Sequence, residues 1–171
     1  YSVWGRSDYI PNSNDAYALA FERFHPIFAT MHDDIVIVNS SEKKISSSVG
    51  HAMMNDNPYS EARYAQAKKN ANELAQVLLT GDIHRFGEIA EAEALTLHAL
   101  MMASNPGYIL MQPNTLSIIN RVKDYRRRTG NPLYFSLDAG PNPHLLYPNE
   151  IKEDVEGFII SEIKELAENG K

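Results

Sequence analysis

The stretch LYFSLDAGPNPHLLYP, Leu133 to Pro148, places one carboxylate, Asp138, at the end of an alternating run and follows it with Pro141 and Pro143. Leu133, Phe135 and Leu137 alternate with Tyr134, Ser136 and Asp138, which predicts a strand with one apolar face and puts Asp138 on the polar one. Each proline restricts the residue before it, here Gly140 and Asn142, to extended conformations. A stiff loop behind a carboxylate suits a group that must be held at reaction distance from a hydroxyl. On local pattern alone, an acid before Gly-Pro is more commonly a turn residue bonding nearby amides.

The second stretch with chemical potential is EKKISSSVGH, residues 42–51. Ser46, Ser47, Ser48 and Gly50 lie between an expected strand and an expected helix, where hydroxyls and backbone amides suit an anion such as a phosphate group. A polar connection ending in a helix cap satisfies the same pattern, and the GxxxxGK[ST] phosphate loop is absent. The six histidines show neither HExxH nor close ligand spacing, so no metal site is expected. Arg126, Arg127 and Arg128 are expected to be a solvated helix end that complements the dipole. Methionines such as Met53, Met101 and Met111 are expected to fill core space. No Gly-x-Ser-x-Gly elbow supports a serine hydrolase.

The elements that must position these groups follow from periodicity. A strand is predicted at Asp34 to Ser41 (DIVIVNSS), with another around Ala16 to Phe21. Tyr64, Ala67, Ala71, Leu74 and Leu78 give one helix face, with Gly81 as the stop. Asp82 is placed to cap the next helix, whose face runs through Phe86, Ile89, Ala94, Leu97 and Met101 until SNPG breaks it. These two helices are expected to pair antiparallel. A third helix starts after Pro113, carries Ile118, Ile119, Val122 and Tyr125, and ends at Gly130 and Pro132. The Asp138 strand, a short strand at His144 to Tyr147 and a last helix from Glu150 to Ala167 complete the chain. The order predicts an α+β domain, an antiparallel sheet layered with helices.

A chain of 171 residues with 43% hydrophobic content fits one domain with a substantial core. Its net charge of -6 argues against nucleic acid or an anionic membrane as the main partner, while leaving room for a local anion site. Without cysteine there is no disulfide framework, thiolate metal site or cysteine nucleophile. No apolar run approaches the ~20 residues that span a bilayer, and nothing near Tyr1 reads as a signal peptide, so a cytoplasmic protein is expected. Because the chain opens on YSVWGRSDY without methionine, it is expected to be part of something longer.

VNSSEKKISSSVGHAM, the His98-Ala99 pair and FSLDAGPNPHLLY together resemble the C-terminal half of diphosphomevalonate decarboxylases of the GHMP kinase superfamily. Asp-Ala-Gly-Pro-Asn is the most specific string. The resemblance implies an about four-stranded antiparallel sheet with helices, a ferredoxin-like layer. It implies ATP-dependent decarboxylation of mevalonate 5-diphosphate to isopentenyl diphosphate, with ATP and Mg2+ as cofactors of the full-length enzyme and a homodimer as the assembly. Asp138 matches the aspartate facing the tertiary hydroxyl. Ala139 matches a backbone contact to substrate, and Ser47 matches the serine that holds the diphosphate.

Two positions depart from the family pattern. Ser48, which stands where many bacterial members have arginine, and His51, which stands where methionine is usual, are expected to bind substrate together with Ser47. Without a bidentate arginine, the choice between 5-diphosphate and 5-phosphate stays open. The family's ATP loop, and the arginine that orients the substrate carboxylate, precede this region, and Tyr1 would follow that arginine by a few residues. This chain alone is therefore expected to bind no cofactor and to be inactive. A phosphomevalonate decarboxylase, a mevalonate 3-kinase-type relative, and a non-catalytic binding or dimerisation domain are the alternatives.

Overall fold

The computed structural model describes residues 1–7, 10–41 and 57–170. Two short strands, β1 (Ser2–Val3) and β2 (Leu19–Ala20), pair antiparallel and lead to a 3-10 turn at Pro26–Thr30. Strand β3 (Met31–Ile35) follows, then helices α1 (Ser60–Thr80), α2 (Ile83–Met102) and α3 (Pro113–Thr129). Strands β4 (Tyr134–Leu137) and β5 (Pro143–Pro148) form a hairpin before the short helix α4 (Lys152–Phe158). The expected α+β class holds. Among the described residues, its main sheet has three antiparallel strands in the order β3-β5-β4 rather than about four, and β1-β2 form a separate ribbon.

Helix limits follow local chemistry. Gly81 closes α1 in the left-handed conformation at φ 84°, and the Asp82 carboxylate caps α2 by accepting the Arg85 amide at 2.9 Å. That tight connection turns the chain back, and Val77, Leu78, Ile83 and Ile89 share one apolar cluster with Phe28. Gly130 closes α3 at φ 76°.

Four further sequence expectations are corrected. The strand expected at Asp34 to Ser41 is β3, which starts earlier and spans Met31–Ile35. Its ladder ends where its partner begins: Pro143 accepts the Val36 amide at 2.9 Å but has no N–H to return. Beyond it, the Asn142 side chain takes over from the backbone, its Oδ1 accepting the amides of Val38 and Asn39 at 2.9 and 3.0 Å.

The last helix is not continuous from Glu150 to Ala167: α4 runs into a wide π turn at Ile159–Ile163 and a 3-10 turn at Lys164–Leu166. Val155, Phe158 and Ile163 are the buried positions of this segment. A five-residue step from Phe158 would leave the buried face of a regular α-helix, and the wider turn returns Ile163 to it.

The third correction concerns β4, whose alternate face is covered rather than open to solvent, with Ser136 half-buried. Phe135 is 0% exposed in the main core, and Tyr134 on the opposite side is 3% exposed. Tyr134 lies against Gly87 of α2, where a Cβ would sit 2.1 Å from the ring. Its hydroxyl meets His84 Nδ1 at 2.9 Å. The absence of a side chain at Gly87 therefore lets a helix cover the strand.

Arg126 is likewise not a solvated end. Its Nη1 and Nη2 pair with both oxygens of the buried Glu91 at 2.8 and 3.1 Å, Nη1 also donates to the Leu133 carbonyl at 2.5 Å, and its guanidinium lies over the Tyr134 ring. Arg127 and Arg128 are exposed and pair with Asp124 and Glu162.

Two measurements check this packing. Helix propensity alone favours Gly87→Ala by about 1 kcal/mol, but the methyl has to displace the Tyr134 ring. The expected net result in urea denaturation is a loss of about 1–3 kcal/mol; a gain would contradict the close approach. Arg126→Ala strands the Glu91 carboxylate, and a loss of about 3 kcal/mol is expected in the same assay.

Candidate functional site

Asp138 is the first residue beyond β4 and is exposed, Ala139 is half-buried, and Gly140 is buried. The loop from Asp138 to Pro143 is fastened by side chains from three parts of the fold. From α2, His98 Nε2 lies 3.0 Å from the Asp138 carbonyl oxygen. A carbonyl only accepts, so the ring carries its proton on Nε2. From the first turn of α3, the Thr115 hydroxyl donates to the Pro141 carbonyl at 2.5 Å and accepts the Gln112 amide at 3.1 Å. The loop's own Asn142 bonds the Val38 and Asn39 amides, and its Nδ2 donates to the Asn39 carbonyl at 3.1 Å. Within the loop, the Gly140 amide donates to the Asp138 carbonyl at 2.8 Å.

His98 is 1% exposed and Thr115 is 0% exposed, so both anchoring side chains are buried. A hydrogen bond to a buried group is costly to lose, because the partner cannot turn to solvent instead. The loop backbone is therefore set by the core, while the Asp138 carboxylate is on the surface.

Ser47, Ser48 and His51, expected to contact substrate, lie outside the described residues, as do Ser46 and Gly50. The described chain on either side leads to the same elements. Asn39 is tied to Asn142, and Asn57 Nδ2 donates to the carbonyl of Leu100 at 2.9 Å, two positions beyond His98 on α2. Among the described residues, no group of three His, Asp or Glu could hold a metal ion.

Thr115 and Asn142 were not singled out by sequence pattern. The available signals were a hydroxyl three residues after Gln112 at a helix start and an asparagine between two prolines. His98 stood out only through the family resemblance, although it follows Ala94 by one helical turn on the apolar stripe of α2.

Burial pushes the His98 pKa below its ordinary value, opposed by its bond to the Asp138 carbonyl and by the Asp138 charge. The unfolded chain binds a proton at this ring near pH 6.5, whereas the folded chain resists doing so. His98 therefore costs stability as pH falls through about 6.5, by up to about 1.4 kcal/mol per pH unit, until the depressed folded value is reached. Denaturation of wild type and His98→Gln between pH 7.5 and pH 5.5 (about two pH units) should show the steeper acid loss in wild type.

Residues 34–169 match the sequence family described as the mevalonate 5-diphosphate decarboxylase C-terminal domain. A phosphomevalonate decarboxylase of Haloferax volcanii is 29% identical over 135 residues, 78% of this chain and 41% of that protein. The solved mevalonate pyrophosphate decarboxylase from Streptococcus pyogenes is 25% identical at TM-score 0.72, over 77% of this chain and 42% of the other. A structure described as MDDEF in complex with MVAPP, AMPPCP and magnesium is 25% identical at TM-score 0.71, over 78% and 41% of the two chains. The chain thus spans under half the length of each of these proteins.

Proposed function

The chain belongs to the mevalonate 5-diphosphate decarboxylase C-terminal-domain family, and from that premise we propose that it is the substrate-binding and catalytic part of an ATP-dependent decarboxylase of phosphorylated mevalonate. The reaction takes mevalonate 5-diphosphate and ATP to isopentenyl diphosphate, carbon dioxide, ADP and phosphate. The observation that carries this reading is the exposed Asp138 carboxylate on a loop whose backbone is anchored by His98, Thr115 and Asn142. Such anchoring serves a group that must meet a substrate hydroxyl at about 2.6–3.2 Å.

ATP supplies the phosphoryl group that makes the tertiary hydroxyl a leaving group. Asp138 takes the hydroxyl proton or stabilises it electrostatically, and the Ala139 backbone lines the same position. Ser47, with Ser48 and His51 nearby in sequence, receives the 5-phosphate end. Nucleotide and magnesium are assigned to no described residue of this chain. The reading carries with it a cytoplasmic homodimer and a companion domain outside this chain that holds the nucleotide. No helix among the described residues is long and apolar enough to cross a membrane.

A second reading is a 5-phosphate substrate. Ser48 where many bacterial members have arginine removes a bidentate phosphate contact, and the Haloferax relative is a phosphomevalonate decarboxylase.

Both readings are tested on the intact protein with mevalonate, its 5-phosphate and its 5-diphosphate, following ADP and carbon dioxide. Turnover of the 5-diphosphate is expected, and the better of the two phosphorylated substrates decides between the readings. ADP without carbon dioxide would identify a kinase, and neither product with any substrate would leave a binding or dimerisation domain. Asp138→Asn should lower kcat by about 10²–10⁴-fold with unchanged thermal stability; near-normal turnover would remove Asp138 from the chemistry.

A further inference from the structure

Two donors converge on the Asp138 carbonyl, and they do different things. The Gly140 amide, at 2.8 Å, belongs to the loop and shapes its turn. His98 Nε2, at 3.0 Å, belongs to α2 and fixes that turn relative to the rest of the fold. The carbonyl carbon of Asp138 is bonded to the same Cα that bears the carboxylate side chain, so the orientation of this peptide plane sets where the carboxylate can point. The ring is 1% exposed, so its donor is presented to the carbonyl from within the core.

We infer that His98 is the positioning residue for Asp138: its Nε2–H, donated to the Asp138 main-chain carbonyl, aims the carboxylate without touching substrate. This rests on the decarboxylase reading only for its kinetic consequence. Two features make the role specific to this ring. Burial favours its neutral form, since desolvation lowers its pKa, and the carbonyl acceptor places the hydrogen of that form on Nε2. Its position on α2 is in turn fixed further along the helix by the Gly87 approach to Tyr134 and the Glu91 pair with Arg126, so the donor sits on a rigid support. A displacement of order 1 Å at a reacting group costs about 10²-fold in rate, and a loop that has lost one outside anchor has that freedom.

The test has two arms. In the intact enzyme, His98→Leu, which keeps bulk but has no donor, is expected to lower kcat about 10- to 100-fold while changing KM for the phosphorylated mevalonate less than about threefold. His98→Gln, whose side-chain amide reaches the position of Nε2, should recover most of kcat. A merely structural role would give parallel losses of folded protein in both variants with no rescue of kcat per active site. In this chain itself, long-range proton–nitrogen NMR should find hydrogen on His98 Nε2 and none on Nδ1 at neutral pH, and His98→Leu should raise amide exchange at Gly140. Normal kcat in His98→Leu, a hydrogen on Nδ1 in place of Nε2, or unchanged exchange at Gly140 would each overturn the inference. Wild-type enzyme that releases no carbon dioxide would overturn the decarboxylase reading, and the NMR arm would then decide whether His98 positions the loop.

Discussion

The docking of α2 along β4 is the constraint on which the other features depend. His84, Gly87, Glu91, Ala94 and His98 recur at alternating steps of three and four, so they form one stripe of the helix. His84 and Gly87 meet Tyr134, Glu91 meets Arg126 beneath Leu133, Ala94 enters the core, and His98 reaches Asp138. The lengths agree: eleven residues from Gly87 to His98 rise about 16 Å along a helix, and four residues from Tyr134 to Asp138 span about 13 Å along a strand. Close packing at Gly87 and the polar contact of His98 thus lie on one stripe of one helix, facing one strand.

Much of this was legible in the sequence because it depends on short-range rules. The two glycine stops of α1 and α3, the Asp82 cap and the Ile118–Val122 face were all predictable from spacing and residue type. What escaped prediction was set by partners distant in sequence. Tyr134 and Arg126 look like surface residues until Gly87 and Glu91, more than thirty positions upstream, are brought beside them. The displacement of β3 has the same origin, since its ladder stops at a proline on a partner more than a hundred residues away. The break in the last helix reflects which residues reach the core, a property of its neighbours and not of its own apolar stripe.

The candidate site divides along the same line. Asp138 is a candidate on local pattern because stiffness is written into adjacent prolines, although that pattern alone favours a turn residue and the catalytic reading comes from the family resemblance. Its anchors, His98 and Thr115, are single polar residues on apolar helix faces. A sequence gives such residues no direction, and only their opposite numbers, the carbonyls of Asp138 and Pro141, explain their presence in a core where an unmet polar group is expensive.

The bonds from His98 and Thr115 end on main-chain carbonyls, an atom type common to every amino acid. The fold therefore mounts its loop without reading the identity of the residue mounted there. Position 138 is a socket in this sense: a different side chain could be carried there, and a new chemistry tried, with the bond from His98 to the main chain left as it is. A lineage descended from this domain could change what it does by exchanging the residue in the socket long before it changed how the socket is built.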